Sequence, residues 1–374
     1  MLYVSPAVRH YPPSRHTRQW AVEDILQRRR FLVPNDTAAA LLLAHSPISR
    51  DDLISGLVSR GVSADRASAI IATLERRLLL LGPQTPAEHL EKIAWLRETR
   101  AVWSEFGWPE AAEYHLTTYD YHGLDYAADG FDIDTDWMRR YAAEEPDDNR
   151  VLTFPHAARR LRLPPPHEVA ADWQLADAAR EPERPRRIGR DELLQLLSLA
   201  FGVIDTITPK RWTGAPLLRR TSPSGGARHP TEAFVAVLDV PGLEEGWWHV
   251  HSVGPELELL DEKHFGELEL GTLFPLSYSR VPIATQVVVV LTCAFERNMY
   301  RYREPRTFRT VHMDAGHLAR TVEMTAHAMG VGARVAYPDG EQDIEAQLGL
   351  DPLTHGFMLS IAIGGARQME GAGR

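Results

Sequence analysis

The segment Arg219–Pro230 reads RRTSPSGGARHP and stands directly before an apolar, β-branched stretch, Glu232–Asp239, which predicts a strand. Gly225 and Gly226 allow the backbone to approach a planar ligand closely, because neither carries a Cβ atom. The N–H groups after Pro223 can cradle an anion, and the arginines supply fixed positive charge for a phosphate. The segment therefore indicates a cofactor-binding loop, with a glycine-rich surface turn as the alternative.

The chain from residue 188 onward alternates between helix and strand patterns. Glu192–Gly202, which ends in glycine, predicts a helix before the loop. Beyond the loop, the patterns predict a hairpin, a long strand, a helix and a final strand: Gly246–Leu260, Thr285–Phe295, His312–Met329 and Gly356–Ile363. This order fits an α+β fold with a central, mainly antiparallel sheet flanked by helices.

Residues 1–82 are predicted to form a small, mostly helical domain. Three helical patterns cover Thr37–His45, Arg50–Arg60 and Ala64–Leu80, and the apolar residues of the third have the spacing of one buried face. The preceding segment Arg29–Val33 predicts a strand packed on these helices. Together they indicate a winged-helix-like unit.

The middle of the chain, residues 83–187, is predicted to hold a helical segment and a linker. Residues 86–107 resemble an amphipathic helix, whereas residues 108–150 are aromatic and acidic without a clear period. Proline and arginine are frequent in residues 155–187, and this composition favours extended chain on the surface. The second domain is therefore expected to comprise residues 188–374.

The composition excludes several classes of protein. Of the 374 residues, 44% are hydrophobic and 25% are charged, as in ordinary globular proteins. The one cysteine, Cys293, lies in an apolar run, which leaves no disulfide framework, cysteine-rich zinc site or iron–sulfur cluster. The longest uncharged apolar stretch, Val281–Phe295, is shorter than the ~20 residues of a bilayer helix, and the N-terminus lacks the apolar region of a signal peptide. We expect a soluble cytoplasmic protein.

The motifs of several common enzyme classes do not occur in the sequence. HExxH, GxSxG and GxxxxGK[ST] are absent, and the segment that begins at Gly330, GVGARV, lacks the third glycine of GxGxxG. Zinc peptidases, α/β-hydrolases, P-loop ATPases and Rossmann dehydrogenases therefore lose their usual support. His249 and His251 would face one side of a strand, but no carboxylate or cysteine motif accompanies them. No metal site is expected.

A second group of motifs follows the long strand. Arg301–Arg309 reads RYREPRTFR, Met313–Leu318 reads MDAGHL, and Ala328–Gly332 reads AMGVG. Together with R-x-x-P-S-x-G-A-x-x-P-x-E, which begins at Arg220, this ordered set resembles the SagB-type dehydrogenases of the nitroreductase superfamily. Those enzymes use FMN to oxidise peptide thiazolines and oxazolines to azoles. The resemblance covers about residues 188–367 and implies a nitroreductase-like fold.

The resemblance also implies which residues bind FMN. Contacts to the phosphate and the ring would come from Arg219, Arg220, Ser222, Pro223, Ser224, Gly225 and Gly226. Gly330 and Gly332 would let the chain pass close to the flavin, and Arg367 would be a second phosphate partner. The Arg180–Arg187 stretch stands where the superfamily has a phosphate motif, here in degenerate form. In this fold the FMN site generally forms at a two-fold interface, so a homodimer is expected.

One departure from the family concerns the catalytic residues. Azoline-oxidising members carry a Lys-Tyr pair thought to assist deprotonation, whereas this chain has Arg301 followed by Tyr302. Because arginine effectively cannot lose its proton, Tyr302 would be the base and Arg301 an electrostatic helper that favours the ionised phenol. A related flavin reaction and weak catalysis are the alternatives. His317 is the other nearby base, although a structural hydrogen bond with Asp314 is the more ordinary role for it.

The N-terminal domain is similar to small winged-helix domains that bind leader peptides during maturation of ribosomal peptides. Phe31–Leu43, FLVPNDTAAALLL, and the leucine run Leu78–Leu81 carry this similarity. Residues 1–82 hold 11 arginines against 7 acidic residues, which also suits a DNA-binding helix-turn-helix, and a purely structural role is a third possibility. Fusion to a flavin domain and a net charge of −10 favour an acidic leader peptide. The implied partners are a precursor peptide and a cyclodehydratase or other maturation enzyme, without nucleic acid or membrane.

Three functions stay open on the sequence alone. The first is FMN-dependent dehydrogenation of peptide azolines to azoles during peptide natural-product maturation. The second is a flavin reductase or oxidase acting on another peptide or small-molecule group, with NAD(P)H as the donor. The third is a non-catalytic flavin-fold scaffold that binds a peptide or partner enzymes, which the missing lysine permits.

Overall fold

The computed structural model describes residues 1–14, 17–119, 124–125, 127–144, 151–169, 175–208, 216–251 and 253–367. The chain divides into two compact units, Met1–Gly123 and Leu124–Arg374. This division differs from the boundaries after residues 82 and 187 that the sequence suggests. Those domain boundaries stay predictions.

The first unit combines a small antiparallel sheet with three helices. Its strands and helices, in chain order, are β1 (Tyr3–Val4), β2 (Val8–Tyr11), β3 (Trp20–Asp24), β4 (Arg29–Val33), α1 (Asn35–Leu43), α2 (Arg50–Val58), α3 (Ala64–Arg76) and β5 (Leu80–Leu81). The order β2-β3-β4 makes one sheet with β4 at its edge, and β1 pairs with β5. The strand and the three helices predicted here are present, and β1, β2, β3 and β5 are additional.

Serine caps and leucine spacing explain these helices. The hydroxyls of Ser49 and Ser63 accept hydrogen bonds from the N–H groups of Asp52 (3.0 Å) and Arg66 (3.4 Å), which begins α2 and α3. The third helix ends at Arg76, earlier than predicted, because the chain turns at Leu78, where φ is 59°, and then pairs as β5. Leucine alone could not signal this change from helix to strand.

Two helices beyond residue 82 complete the first unit. They are α4 (Ala87–Glu105), close to the predicted 86–107, and α5 (Pro109–Thr118), in the stretch without a clear period. Their core combines Ile93, Leu96 and Leu116 with Ala7, Ile25 and Leu81 from the strands. Because these side chains share one core, α4 and α5 belong with the N-terminal strands.

A seven-stranded antiparallel sheet forms the centre of the second unit. Its order is β13-β14-β12-β9-β10-β11-β6, with a separate hairpin of β7 and β8. The strands are β6 (Arg159–Arg162), β7 (Val203–Ile207), β8 (Leu217–Arg220), β9 (Thr231–Val237), β10 (Gly246–Val250), β11 (Glu256–Glu262), β12 (Ile283–Ala294), β13 (Gly332–Ala336) and β14 (His355–Ala366). The predicted α+β fold with an antiparallel sheet is confirmed.

Helices cover both faces of this sheet. They are α6 (Gly130–Glu144), α7 (Leu175–Ala179), α8 (Arg190–Phe201), α9 (Glu267–Leu273), α10 (Phe295–Arg301), α11 (Thr307–Ala328) and α12 (Glu341–Leu348). One face packs against α8 and α11, and the other against α9 and α12. The strand β12 is apolar throughout because alternate side chains point into these two cores. Among the described helices, none is long and apolar enough to cross a membrane.

The edge strand β6 lies within the stretch predicted as a linker. Arg159–Arg162 pairs antiparallel with β11, so this part of the stretch is folded into the sheet. Its side chains are mostly exposed, and Arg160 reaches Glu258 of β11 at 3.1 Å. Charged residues are typical of edge strands, where they discourage pairing with another chain. An arginine-rich composition therefore concealed a strand.

Candidate functional site

The loop between β8 and β9 lies along the helix α11. The hydroxyl of Ser224 donates to Oδ2 of Asp314 (2.6 Å), and the N–H of Gly225 donates to the same carboxylate (3.2 and 3.3 Å). The hydroxyls of Ser222 and Thr321 are hydrogen-bonded at 2.6 Å. Since Asp314 and Thr321 are seven residues apart, they lie on one face of the helix, two turns from each other. The loop therefore follows about two turns of α11.

The paired glycines in this loop leave room for two neighbouring side chains. A Cβ atom on Gly225 would overlap Cγ2 of Thr310, and one on Gly226 would overlap the phenolic oxygen of Tyr302. Gly226 also adopts a φ of 61°, a conformation that favours glycine. The structure thus brings the predicted base, Tyr302, against the backbone of the predicted cofactor loop.

The two arginines that open the loop lie in different surroundings. Arg219 is exposed, 3.7 Å from Asp205 of β7. Arg220 is buried, and burial together with the charge of Arg297 lowers its pKa to about 10, although the charge of Glu232 acts in the opposite direction. Of the two, Arg219 has the guanidinium that is accessible to a ligand.

A second group of predicted site residues lies where α11 ends. Gly330, with a φ of 73°, follows the helix, and Gly332 begins β13. A Cβ atom on Gly332 would lie 2.8 Å from Cγ2 of Ile283 and 3.0 Å from the carbonyl oxygen of Gly364. Close packing between strands therefore already requires glycine at position 332.

Three arginines surround this end of the sheet. The N–H of Ala366, next to Arg367, donates to the carbonyl of Pro185 (2.7 Å), which brings Arg186 and Arg187 to the end of β14. Arg186 pairs with Glu192, Arg187 pairs with Asp239, and Arg367 donates to the carbonyl of Tyr278 (3.1 Å). All three are exposed or half-exposed. We call Arg186, Arg187 and Arg367 the arginine corner.

The loop and the arginine corner are separated within one chain. Gly225 lies at Asp314, whereas Gly330 follows the end of α11 at Ala328. Fourteen residues of helix correspond to roughly 21 Å at the usual rise per residue. The predicted site residues thus form two groups, of which Arg301 and Tyr302 belong to the first.

The residue before Tyr302 has an acidic partner that the sequence did not reveal. Nη1 of Arg301 lies 2.5 Å from Oδ1 of Asp134, and Nη2 pairs with the other carboxylate oxygen. The two side chains are only 10% and 14% exposed, and Cζ of Arg301 is 5.0 Å from the centre of the Tyr302 ring. Asp134 comes from α6, in the stretch without a clear period, and 167 positions separate it from Arg301.

A buried ionic network fixes the helix α10, which carries Arg301. Both ring nitrogens of His249 lie 3.0 Å from carboxylate oxygens, one of Glu232 and one of Glu258. Glu232 also pairs with Arg297 of α10, whose Nη1 donates to the carbonyl of His229 (2.9 Å). Burial opposes the ionised forms, but these partners lower the pKa of Glu232 to about 2 and raise that of His249. His249 is therefore held as an imidazolium cation.

The remaining predicted or weighed groups have simpler surroundings. His317, the alternative base, is exposed on α11. Burial raises the pKa of Asp314, whereas Ser224, the N–H of Gly225 and the charge of His317 act in the opposite direction. Burial also raises the pKa of the Cys293 thiol to about 12. Within the described ranges, no group of three or more histidine, cysteine or acidic residues is arranged to hold a metal ion.

Comparison with known proteins identifies the second unit. Residues 184–365 match the Nitroreductase family. The trifolitoxin-processing protein TfxB of Rhizobium leguminosarum bv. trifolii is 28% identical over 267 residues, which span 68% of this chain and 70% of TfxB. The protein MJ1384 of Methanocaldococcus jannaschii, named a nitroreductase, is 36% identical over 145 residues, 38% of this chain and 64% of that protein. The nitroreductase assignment drawn from the motifs is confirmed.

Solved structures with a related arrangement include two that illustrate the range. A nitroreductase from Anabaena variabilis aligns with a TM-score of 0.44 and 21% identity, covering 58% of this chain and 43% of that one. The Escherichia coli microcin synthetase McbBCD complex with truncated pro-MccB17 aligns with a TM-score of 0.40 and 18% identity, covering 73% and 94%.

Proposed function

We propose that this protein, whose residues 184–365 form a nitroreductase-family domain, is an FMN-dependent oxidoreductase that dehydrogenates azoline rings of a ribosomally made peptide to azoles. The observation that carries the proposal is the position of Tyr302 against the Gly225–Gly226 backbone of the loop held on α11. The similarity to TfxB, a trifolitoxin-processing protein, supports a peptide as the substrate.

The donor groups at the two ends of α11 fit the parts of FMN. Flat backbone at Gly225 and Gly226 suits a planar ring, and the exposed guanidinium of Arg219 suits an anion. The arginine corner offers three more guanidinium groups, which bind phosphate through charge-assisted hydrogen bonds. The hydroxyl of Ser224 and the N–H of Gly225 serve Asp314, so they hold the loop in place.

The separation of the two groups supports a homodimer. A ligand bound by one chain would have to span roughly 21 Å between the Gly225 end of the loop and the end of α11. A two-fold axis can instead bring the loop of one copy near the arginine corner of the other. We therefore propose that each site combines residues of two copies.

In the proposed reaction, the chain supplies proton chemistry and position. Tyr302, in its ionised form, would take the Cα proton of the azoline as a general base. Bound FMN would accept the hydride that leaves the neighbouring ring carbon, and dioxygen would reoxidise the reduced cofactor. The ring thereby loses one proton and one hydride and gains a double bond. Arg301 keeps its proton throughout and orients Tyr302.

For the first unit we propose recognition of the leader part of the precursor peptide. Its edge strand β4 presents Arg29 and Arg30, both exposed, together with unpaired backbone groups typical of a sheet edge. An acidic, extended peptide fits such an edge, because it can add a strand and pair with the arginines. A cyclodehydratase or other maturation enzyme would supply the azoline.

Flavin uptake by the full chain tests the cofactor claim. We expect the purified protein to release FMN on heating, and stripped protein to take it up again in a fluorescence titration. Arg219→Ala should weaken retention, because a hydrogen bond between a charged group and phosphate contributes about 1.5–3 kcal/mol. Arg60→Ala, on α2 of the first unit, is the control. Absence of released flavin together with failure of uptake would refute an FMN enzyme.

A further inference from the structure

The helix α6 reaches Arg301 and Arg303, the two neighbours of Tyr302. Asp134 pairs with Arg301, as described above, and Glu144 pairs with Arg303 at 3.0 Å. The guanidinium of Arg303 also lies 3.7 Å from the centre of the ring of Tyr141. One helix therefore holds the chain immediately before and after the proposed base.

The two ion pairs differ in their surroundings. The Asp134 and Arg301 side chains are nearly enclosed, at 14% and 10% exposure, whereas Glu144 is 45% exposed. Charges removed from water interact more strongly than charges on the surface, where solvent screens them. The Asp134 carboxylate is therefore the acidic group of α6 with the stronger influence on Arg301 and on the ring beside it.

We propose that Asp134 is a positioning residue for Tyr302, which fixes the Arg301 guanidinium beside the phenol and balances its positive charge. The proposal rests on the proposed function only for the catalytic role of Tyr302. With Asp134 ionised, the pair adds almost no net charge beside the ring. Without it, the uncompensated guanidinium favours the ionised phenol. Asp134 thus sets the pH at which Tyr302 loses its proton.

Other charged groups near Tyr302 are few in the described part of the chain. From α11, Asp314 approaches through its hydrogen bonds to the loop, and His317 lies on the exposed side of that helix. The loop itself presents Gly226 to the phenol. None of these groups is altered by a substitution on α6, so a change caused by such a substitution reports on the Asp134–Arg301 pair.

The titration of Tyr302 tests the proposal without flavin or substrate. Tyrosinate absorbance in the near ultraviolet is recorded against pH for the full chain and for Tyr302→Phe, and the difference isolates Tyr302. In Asp134→Asn the midpoint should move to lower pH by about 1–3 units, the effect of an opposite charge nearby. Glu144→Gln, which removes the other pair of the same helix, should leave the midpoint in place.

A second variant gives the opposite sign. Arg301→Gln leaves the Asp134 carboxylate uncompensated, which should move the midpoint of Tyr302 to higher pH, and Asp134→Glu should restore the parent value. An unchanged midpoint in Asp134→Asn and in Arg301→Gln would overturn the proposal. Should these shifts occur in a protein that leaves an azoline peptide unaltered, the proposed function fails and the role of Asp134 stands.

Discussion

Tyr302 carries the chemistry that a lysine shares in related enzymes. Its phenolic oxygen lies against Gly226, and its ring faces the guanidinium of Arg301. An arginine keeps its proton at any ordinary pH, so it cannot exchange roles with the tyrosine. The proton transfer therefore depends on one phenol and on the charges around it.

Replacing Tyr302 by phenylalanine tests that dependence. We expect Tyr302→Phe to retain FMN and fold but to lower turnover by ~10²–10⁴, as for a lost general base. Arg301→Lys should keep substantial activity, because an ammonium group can still pair with Asp134. Steady-state rates on an azoline peptide measure both. Parent-like turnover by Tyr302→Phe would assign the base to another group, with His317 the first to test.

The loop sequence revealed the residues that meet at this site, but not their acidic partner. Gly225 and Gly226 stand next to each other in a recognisable motif, so their role could be predicted. Asp134 and Arg301 are 167 positions apart, and contacts of that kind depend on the folded topology. Likewise, nothing in the sequence indicated that Arg220 is buried while its neighbour Arg219 is exposed.

Long, regular elements were predictable because their patterns are strong. The strand β12 is a β-branched run, and α11 repeats apolar residues at helical spacing, although it begins five residues before the predicted start. Short elements such as β13 were missed, since five residues offer little periodicity. The helix α6 was missed because acidic and aromatic residues interrupt its apolar face.

The buried network around His249 makes stability depend on pH. Its pKa is raised, so its stabilising contribution is complete below the ordinary histidine value and is lost as pH rises through the raised one. His249→Gln leaves Glu232 and Glu258 without their shared cation, and should cost about 3–5 kcal/mol at acidic to neutral pH. This cost should shrink in alkaline solution.

Urea unfolding of the full chain at several pH values measures this effect. His264→Gln, which removes a surface histidine paired with Glu245, is the control and should change stability little. A cost for His249→Gln that stays constant across the range would show that the imidazole is neutral in the folded protein.

The helix α11 anchors the loop through a single carboxylate. Asp314→Ala removes the acceptor for both Ser224 and the N–H of Gly225, so the loop should loosen and FMN affinity should fall by about tenfold or more, at ~1.5–3 kcal/mol for a charged hydrogen bond. Glu323→Ala, which removes a pair with Arg320 on the same helix, is the control. Fluorescence titration with FMN measures both variants. Equal affinities would show that the loop does not contact the cofactor.

The two units have different charge, and this suggests different partners. Residues 1–82 carry 11 arginines and 7 acidic residues, whereas the whole chain has a net charge of −10. Reversing the charges on β4 with Arg29→Glu and Arg30→Glu should weaken binding of an acidic leader peptide severalfold, whereas Arg60→Glu on α2 should have less effect. Fluorescence anisotropy with labelled peptide measures this. Preference for duplex DNA, with steep salt dependence, would favour nucleic-acid binding instead.

The whole account depends on electrons passing from an azoline ring to the flavin. The direct measurement is to load the protein with FMN, remove oxygen and add a thiazoline-containing peptide without NAD(P)H. We predict that the yellow flavin absorbance disappears, that the peptide loses two hydrogens by mass spectrometry, and that air restores the colour. A flavin that stays oxidised with the peptide and bleaches only when NAD(P)H is added would contradict the account.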